Sequence, residues 1–582
     1  MKVNLLCGLL LFLMAAGGSP PAFSQAGKPG QDRPFIDVQR YDLKVALSPE
    51  SHELTASAVI TFMPLEPADH VIFELSENMF IERVHDERGN ELRFIRGQAG
   101  PDILTIDFDT PLVSGTSATI TIEYEGGFSR DPFSRMYSRD DSSAYIGTEG
   151  AWLMYSAKWF PVNRFLVDRA AGTLEVTVPL GMTVIGPGRR MPVVTGGISE
   201  TFSWEADVPI LPGSFVAGRY YQTVLEAGEV TIECFMLDDR RDAMLEIARE
   251  AGRILEYFRE IYGNPMQENK LRLVEVDDAM ERQHGMAGTV FVTRGELSRS
   301  SPPVRELARR IAYQWWHEAV GVRSIEYLWL ADGMAYFSAA QYLGWAGDEA
   351  AFKNEIEQLQ VLALKFENAA AVRAGFDLGY RSERYESVVA GKGAWIVNML
   401  RGLMGEPGFT QLKKRYFIEY AGTGGSTEIF QRLAESIYGK ELGWFFSGWI
   451  DTTGVPEFQA DYVIFKTSAG FSVSGTISHE RDSFRMPVEV VAARGDSKEM
   501  IVVDMVGRSA VFDIGTPFMP ERIVVDPANK VLRDSRELRA SVHIALGDDQ
   551  KRAGDFVGSV RAYENALKLF PHRSLAHFRL AE

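Results

Sequence analysis

The apolar residues of this chain keep one spacing and then change it, and that change limits the fold more than any other feature. After a Gly/Pro/Gln-containing stretch at 26–34, they recur at every second position. Leu54, Ala56, Ala58, Ile60 and Phe62 fall on one side of a strand, and Ile120, Ile122 and Tyr124 repeat the pattern. Glu87-Arg88-Gly89-Asn90 and Ser114-Gly115-Thr116 supply the turns between such strands. Near Asp239 the spacing lengthens. Met244, Ala248, Ala251, Leu255, Phe258 and Tyr262 recur every three or four residues, which predicts a helix from Asp242 to Tyr262 ended by Gly263. Strands are expected at Leu271 to Val276 and Thr289 to Thr293. Pro302-Pro303 should open a helix carrying Arg309 to Val320, with helices continuing to about Tyr438. Strands return from Phe458 to Val531, and Ser535 to Glu582 is helical again.

The expected class is multidomain α+β. An N-terminal antiparallel β saddle or sandwich occupies 35–225, a mixed, mainly helical unit 226–456, a second small β-sandwich 457–533, and a helical hairpin 535–582.

Charge and cysteine content exclude some functions. Asp plus Glu number 79 against 61 Lys plus Arg, a net −18, so phosphate-led binding of nucleic acid is not expected. Cys7 and Cys234 are the two cysteines, too few for a disulfide framework. Lys2, the apolar stretch Leu5 to Gly17 and the small residues around Ala22-Phe23-Ser24 read as an export signal over 1–24. A periplasmic or secreted protein without a membrane span after cleavage is therefore expected.

Chemistry should be read at Arg309-Arg310-Ile311-Ala312-Tyr313-Gln314-Trp315-Trp316 and at Leu328-Trp329-Leu330-Ala331-Asp332-Gly333, where eighteen residues separate Tyr313 from Asp332. This frame resembles the zinc aminopeptidases of aminopeptidase N and leukotriene hydrolase type, the gluzincins, whose pattern is HExxHQW followed by a Glu within LWLNEGFA. Trp159-Phe160-Pro161, Pro212 to Gly218, Lys392-Gly393-Ala394, Trp449-Ile450 and Gly454-Val455-Pro456 extend the likeness in the correct order. The resemblance implies a thermolysin-like central domain, a zinc cofactor and peptide substrates.

At the positions that would do the work, this sequence departs. Arg309 and Tyr313 stand where the two His ligands belong, and a guanidinium has no lone pair to give a metal. Arg310 replaces the general base and Asp332 the third ligand. Gly285 falls at the Glu that binds the substrate's amino terminus, and Ala390 at the Tyr that stabilises the oxyanion; Tyr385 lies near it in sequence. The reading is a pseudopeptidase: no catalytic residue, no zinc or other cofactor, and a peptide or protein ligand bound in the old cleft or by the tail. Arg309, Tyr313, Asp332, His284 and His317 are the candidates to line that cleft. The alternatives are a metallo-aminopeptidase with an atypical metal site and a scaffold within an envelope complex.

Further expectations concern the same residues. His284, His317, Glu318 and Asp332 are metal-ligand types without metal-ligand spacing, and hydrogen-bonded polar groups are the preferred reading. Asp332 would cap a helix from Gly333 to Leu343, or pair with Arg309 or Arg310 in place of a metal link. Trp315, Trp316 and Trp329 are expected in the core. Gly554-Asp555-Phe556, Tyr563, Ala566-Leu567 and Pro571 resemble a tetratricopeptide repeat helix, a surface for a protein partner.

Overall fold

The computed structural model describes residues 35–97, 100–129, 143–265, 269–281 and 283–582. The export-signal reading of 1–24 lies outside them. The period-two segment folds into three sheets. The largest runs Arg189–Arg190, Ser199–Ile210, Ala170–Pro179, Ile36–Ser48, Glu53–Pro64, Ala118–Gly127, Met79–Asp86. Its register follows the alternation: Ala58 pairs with Ile122 and Ile60 with Ile120, all buried. One pair departs from the antiparallel pattern, since Ile36–Ser48 lies parallel to Ala170–Pro179.

Trp159 and the segment after Pro212 meet in this half of the molecule. The Trp159 indole N–H donates to the Gly213 carbonyl at 2.7 Å, and the ring packs edge-on against Phe215. Both rings are fully buried.

The central sheet has the order Tyr221–Ala227, Val230–Met236, Lys270–Val276, Thr289–Thr293, Gly285–Met286. The helix Arg241–Tyr262 crosses it, buried along one face from Met244 to Tyr262. The helices Val304–Tyr313, Leu328–Ala346, Glu349–Leu364, Lys392–Tyr420, Thr427–Tyr438 and Gly443–Ile450 pack behind. Leu328–Ala346 is buried nearly all round, and it approaches Lys392–Tyr420 so closely that a Cβ on Gly333 would lie 2.7 Å from the Gly393 carbonyl carbon. Glycine at 333 fixes that crossing.

Two three-stranded sheets follow: Gln459–Thr467, Gly470–Ser478, Ser509–Thr516, and Ser497–Val506, Arg485–Arg494, Arg522–Val525. The tail holds a hairpin, Arg536–Arg552 and Phe556–Leu569, followed by the short helix Ser574–Ala581. Ser535 caps the first, its hydroxyl accepting the Leu538 N–H at 3.2 Å. Among the described residues, no helix is long and apolar enough to cross a membrane.

The tail has a small core of its own, Ala540, Ile544, Tyr563, Ala566 and Ala576. It touches the body through polar contacts such as Lys365–Asp549 and Arg539–Glu457. All ten tryptophans precede residue 450, so their fluorescence reports the body alone. Deleting 535–582 should leave the tryptophan unfolding transition cooperative, with its midpoint a few degrees lower. Loss of the transition would show that the tail belongs to the main cooperative unit.

Candidate functional site

The helix Val304–Tyr313 does not continue as an α-helix to Val320. From Gln314 to Ala319 it widens into a π-helical turn, and a second π turn spans Glu386–Gly391. Such turns re-aim side chains and recur at functional sites. Here they flank one cluster. The aromatic frame is structural, as expected: Trp315, Trp316 and Trp329 are buried, their indoles bonded to the Gly263 carbonyl, the Ser338 hydroxyl and the Thr427 hydroxyl. Gln314 pins the turn ahead of Thr289–Thr293, accepting from the Gly288 N–H at 2.8 Å.

Neither arginine meets Asp332, which corrects the expected pair. Arg310, 1% exposed, turns toward the central sheet. It donates to Glu296 Oε2 at 2.7 Å, to the Phe291 carbonyl at 3.0 Å and to the Glu281 carbonyl at 3.1 Å. Glu296 also completes a capping box with Thr293, so the same carboxyl serves both groups. Arg309 is half-buried, donates to the Tyr336 hydroxyl at 2.7 Å and lies 4.7 Å from that ring's centre. Tyr336 in turn donates to Glu386. Neighbouring residues on a helix point about 100° apart, so these two side chains leave in different directions.

Asp332 is held by phenols instead. The Tyr313 hydroxyl donates to Oδ1 at 2.7 Å and the Tyr385 hydroxyl to Oδ2 at 2.5 Å. Asp332, Tyr313 and Tyr385 are 3%, 2% and 1% exposed. The aspartate is not a helix cap either: the helix begins at Leu328 and Asp332 sits in its second turn. Ala390 is buried inside the second π turn, which Tyr385 precedes. Gly285 has φ +132, and a Cβ there would lie 2.1 Å from the Thr289 carbonyl oxygen, so this backbone has no room for a side chain.

His284 and His317 come together beside Tyr313. His284 stacks on the Tyr313 ring at 4.4 Å, and its Nε2 lies 3.1 Å from Glu318 Oε1; His317 Nδ1 lies 3.2 Å from the same oxygen. Arg381 Nη2 donates to His284 Nδ1 at 2.7 Å. Burial pushes the His284 imidazole down to about 3, which keeps it neutral. Burial alone would raise the Glu318 carboxyl, but hydrogen bonds from the two imidazoles hold it below the usual range. Arg169 donates to the carbonyls of His317 and Glu318 and so fixes the end of the π turn. Asp332 is not part of this group, contrary to the four-ligand set considered from the sequence.

Glu296, Tyr336, Arg381, Glu386 and Arg169 belong to the site and were not found by sequence reasoning. Thr293-x-x-Glu296 was a readable capping-box signal; the others lack one.

Residues 250–449 match the peptidase family M1 domain. Two proteins of Sulfurisphaera tokodaii are similar. Probable aminopeptidase 1 is 21% identical over 226 residues, 36% of this chain and 28% of that protein. Probable aminopeptidase 2 is 19% identical over 353 residues, 58% of this chain and 45% of that protein. The chain thus spans less than half the length of either relative. Among solved structures, the M1 zinc metallopeptidase from Deinococcus radiodurans aligns with TM-score 0.57 and 16% identity, covering 73% of this chain and 95% of that one. A mutant of that enzyme bound to a Tyr-Ser-Ala substrate aligns with TM-score 0.58 and 17% identity, covering 72% and 95%. At these identities the likeness is one of fold.

The two buried acid contacts can be separated by double-mutant cycles in urea. Arg310→Ala should cost about 3–5 kcal/mol, because it strands a buried carboxyl. Its coupling to Glu296→Ala should exceed about 1 kcal/mol, while its coupling to Asp332→Ala stays within about 0.5 kcal/mol. Tyr385→Phe should cost about 1.5–3 kcal/mol, the loss of a donor to a buried acid. Stronger coupling of Arg310 to Asp332 than to Glu296 would contradict the assignment.

Proposed function

We propose that this chain, which carries an M1 peptidase family domain over residues 250–449, is an exported, non-catalytic member of that family that binds a protein or peptide. In this reading the chain divides near residues 225, 456 and 533. One observation supports it above the rest: Asp332 spends both carboxyl oxygens on Tyr313 and Tyr385, and Arg309 is engaged with Tyr336.

The residues at 309, 313 and 332 therefore do not fit zinc. A guanidinium offers no electron pair, and the phenol and carboxyl that could ligate are bonded to each other. Local charge points the same way. Arg309 is held by Tyr336, which donates to Glu386, so a dication at positions 309, 313 and 332 would meet a fixed positive charge. Hydrolysis also needs a base to take a proton from water, and Arg310 cannot be one.

A peptide would find the centre of the old cleft filled by side chains. The tail offers an alternative surface, with Phe556, Val557, Val560, Leu575 and Phe578 exposed. Its likeness to a tetratricopeptide repeat favours a protein partner over a free peptide.

The purified protein should hydrolyse aminoacyl anilides no faster than buffer alone. Single restorations such as Arg310→Glu should not change this, since catalytic groups acting as a unit are strongly non-additive. Chelator-sensitive turnover by the unmodified chain would overturn the proposal in favour of an atypical metallo-aminopeptidase.

A further inference from the structure

His284, His317 and Glu318 place one candidate ligand atom each within 4.8 Å of one another. The two imidazole nitrogens lie 3.1 and 3.2 Å from one carboxyl oxygen. Ligands about 2.0–2.2 Å from a zinc-sized ion stand about 3.0–3.5 Å apart, and these two hydrogen-bonded separations match two edges of such a sphere. Two imidazoles with one carboxylate suit zinc, cobalt or nickel rather than calcium or magnesium. The three residues are buried, which would keep competing water out.

The π turn builds this site. His317 and Glu318 are adjacent in sequence, yet the turn Gln314–Ala319 brings their side chains together. Arg169 holds the two backbone carbonyls from behind. His284 arrives from the loop just ahead of the edge strand Gly285–Met286. The site shares no ligand with positions 309, 313 and 332, whose acid is taken by the tyrosines, although His284 stacks on Tyr313.

Arg381 opposes occupancy. Its guanidinium can only donate, so His284 Nδ1 must accept, and the proton of the neutral ring sits on Nε2. That is the nitrogen facing Glu318, the one a metal would need bare. Metal-bound histidines use the other ring nitrogen as a donor to an oxygen, the reverse of this arrangement. The positive charge of Arg381 adds repulsion. Arg381 itself has a left-handed backbone, φ 61, between Gly379 at φ 90 and the helix-capping Ser382. A non-glycine residue there is strained, and release of its side chain would let the turn relax.

We propose that His284, His317 and Glu318 form a binding site for a divalent transition ion of the zinc or cobalt kind, which the Arg381 side chain holds closed. The site does not depend on whether the chain binds a partner or lacks catalysis.

The test uses the full chain after dialysis against chelator, titrated with cobalt(II) and followed by visible absorption, with bound metal counted by mass spectrometry. Arg381→Met removes the donor and keeps the apolar stem. It should bind one cobalt ion at least ten-fold more tightly than the unmodified chain. Adding His284→Gln should return the affinity to the unmodified level. If circular dichroism shows Arg381→Met to be misfolded, Arg381→Gln makes the same comparison, its amide oxygen being able to accept from Nδ1–H. Equal affinity in the unmodified and Arg381-substituted chains, tight or undetectable, would overturn the proposal. So would binding that survives His284→Gln.

Discussion

A carboxyl group buried inside a helix must be met by donors, and Asp332 is met by two phenols. Tyr313 reaches it from the helix Val304–Tyr313 and Tyr385 from the segment before the second π turn. Three elements are thereby tied to one side chain. A single unmet buried acid would cost several kcal/mol, so the tyrosines and their supports are coupled to the packing around them. The relay from Arg309 through Tyr336 to Glu386 runs alongside, fixing the same second π turn from its first residue. The arrangement is a cross-link built from hydrogen bonds between these elements.

Other contacts pin the rest of the core. Indole N–H groups of Trp315, Trp316 and Trp329 find backbone or hydroxyl acceptors on separate elements, and Gly333 sets the depth of the helix crossing. These contacts hold the part of the chain that matches the M1 domain without involving Asp332. Fold and chemistry draw on different side chains of the same helices.

Elements with a strong period were legible. The helix expected from Asp242 to Tyr262 is Arg241–Tyr262, and the strand expected from Thr289 to Thr293 is found there. Leu328–Ala346 begins five residues ahead of the expected Gly333, because it is buried nearly all round and shows no amphipathic stripe to mark its start. The site was legible in its members but not in its pairings. Tyr313 and Asp332 occupy positions that converge on one point in the family pattern, and that convergence was the available signal for their bond. Opposite charges, by contrast, suggest that Asp332 pairs with an arginine. Arg310 instead follows the helix face toward Glu296, and Tyr385 reaches the acid through a π turn that no local sequence rule announces.

The central claim is that protein side chains, not a metal ion, hold the helices at Asp332 together. Thermal unfolding of the purified chain, followed by tryptophan fluorescence with and without a strong chelator, tests this most directly. The account predicts the same midpoint under both conditions. A midpoint that falls by several degrees on chelation and is restored by zinc would contradict it, because a ligand that stabilises the folded state must be bound to it.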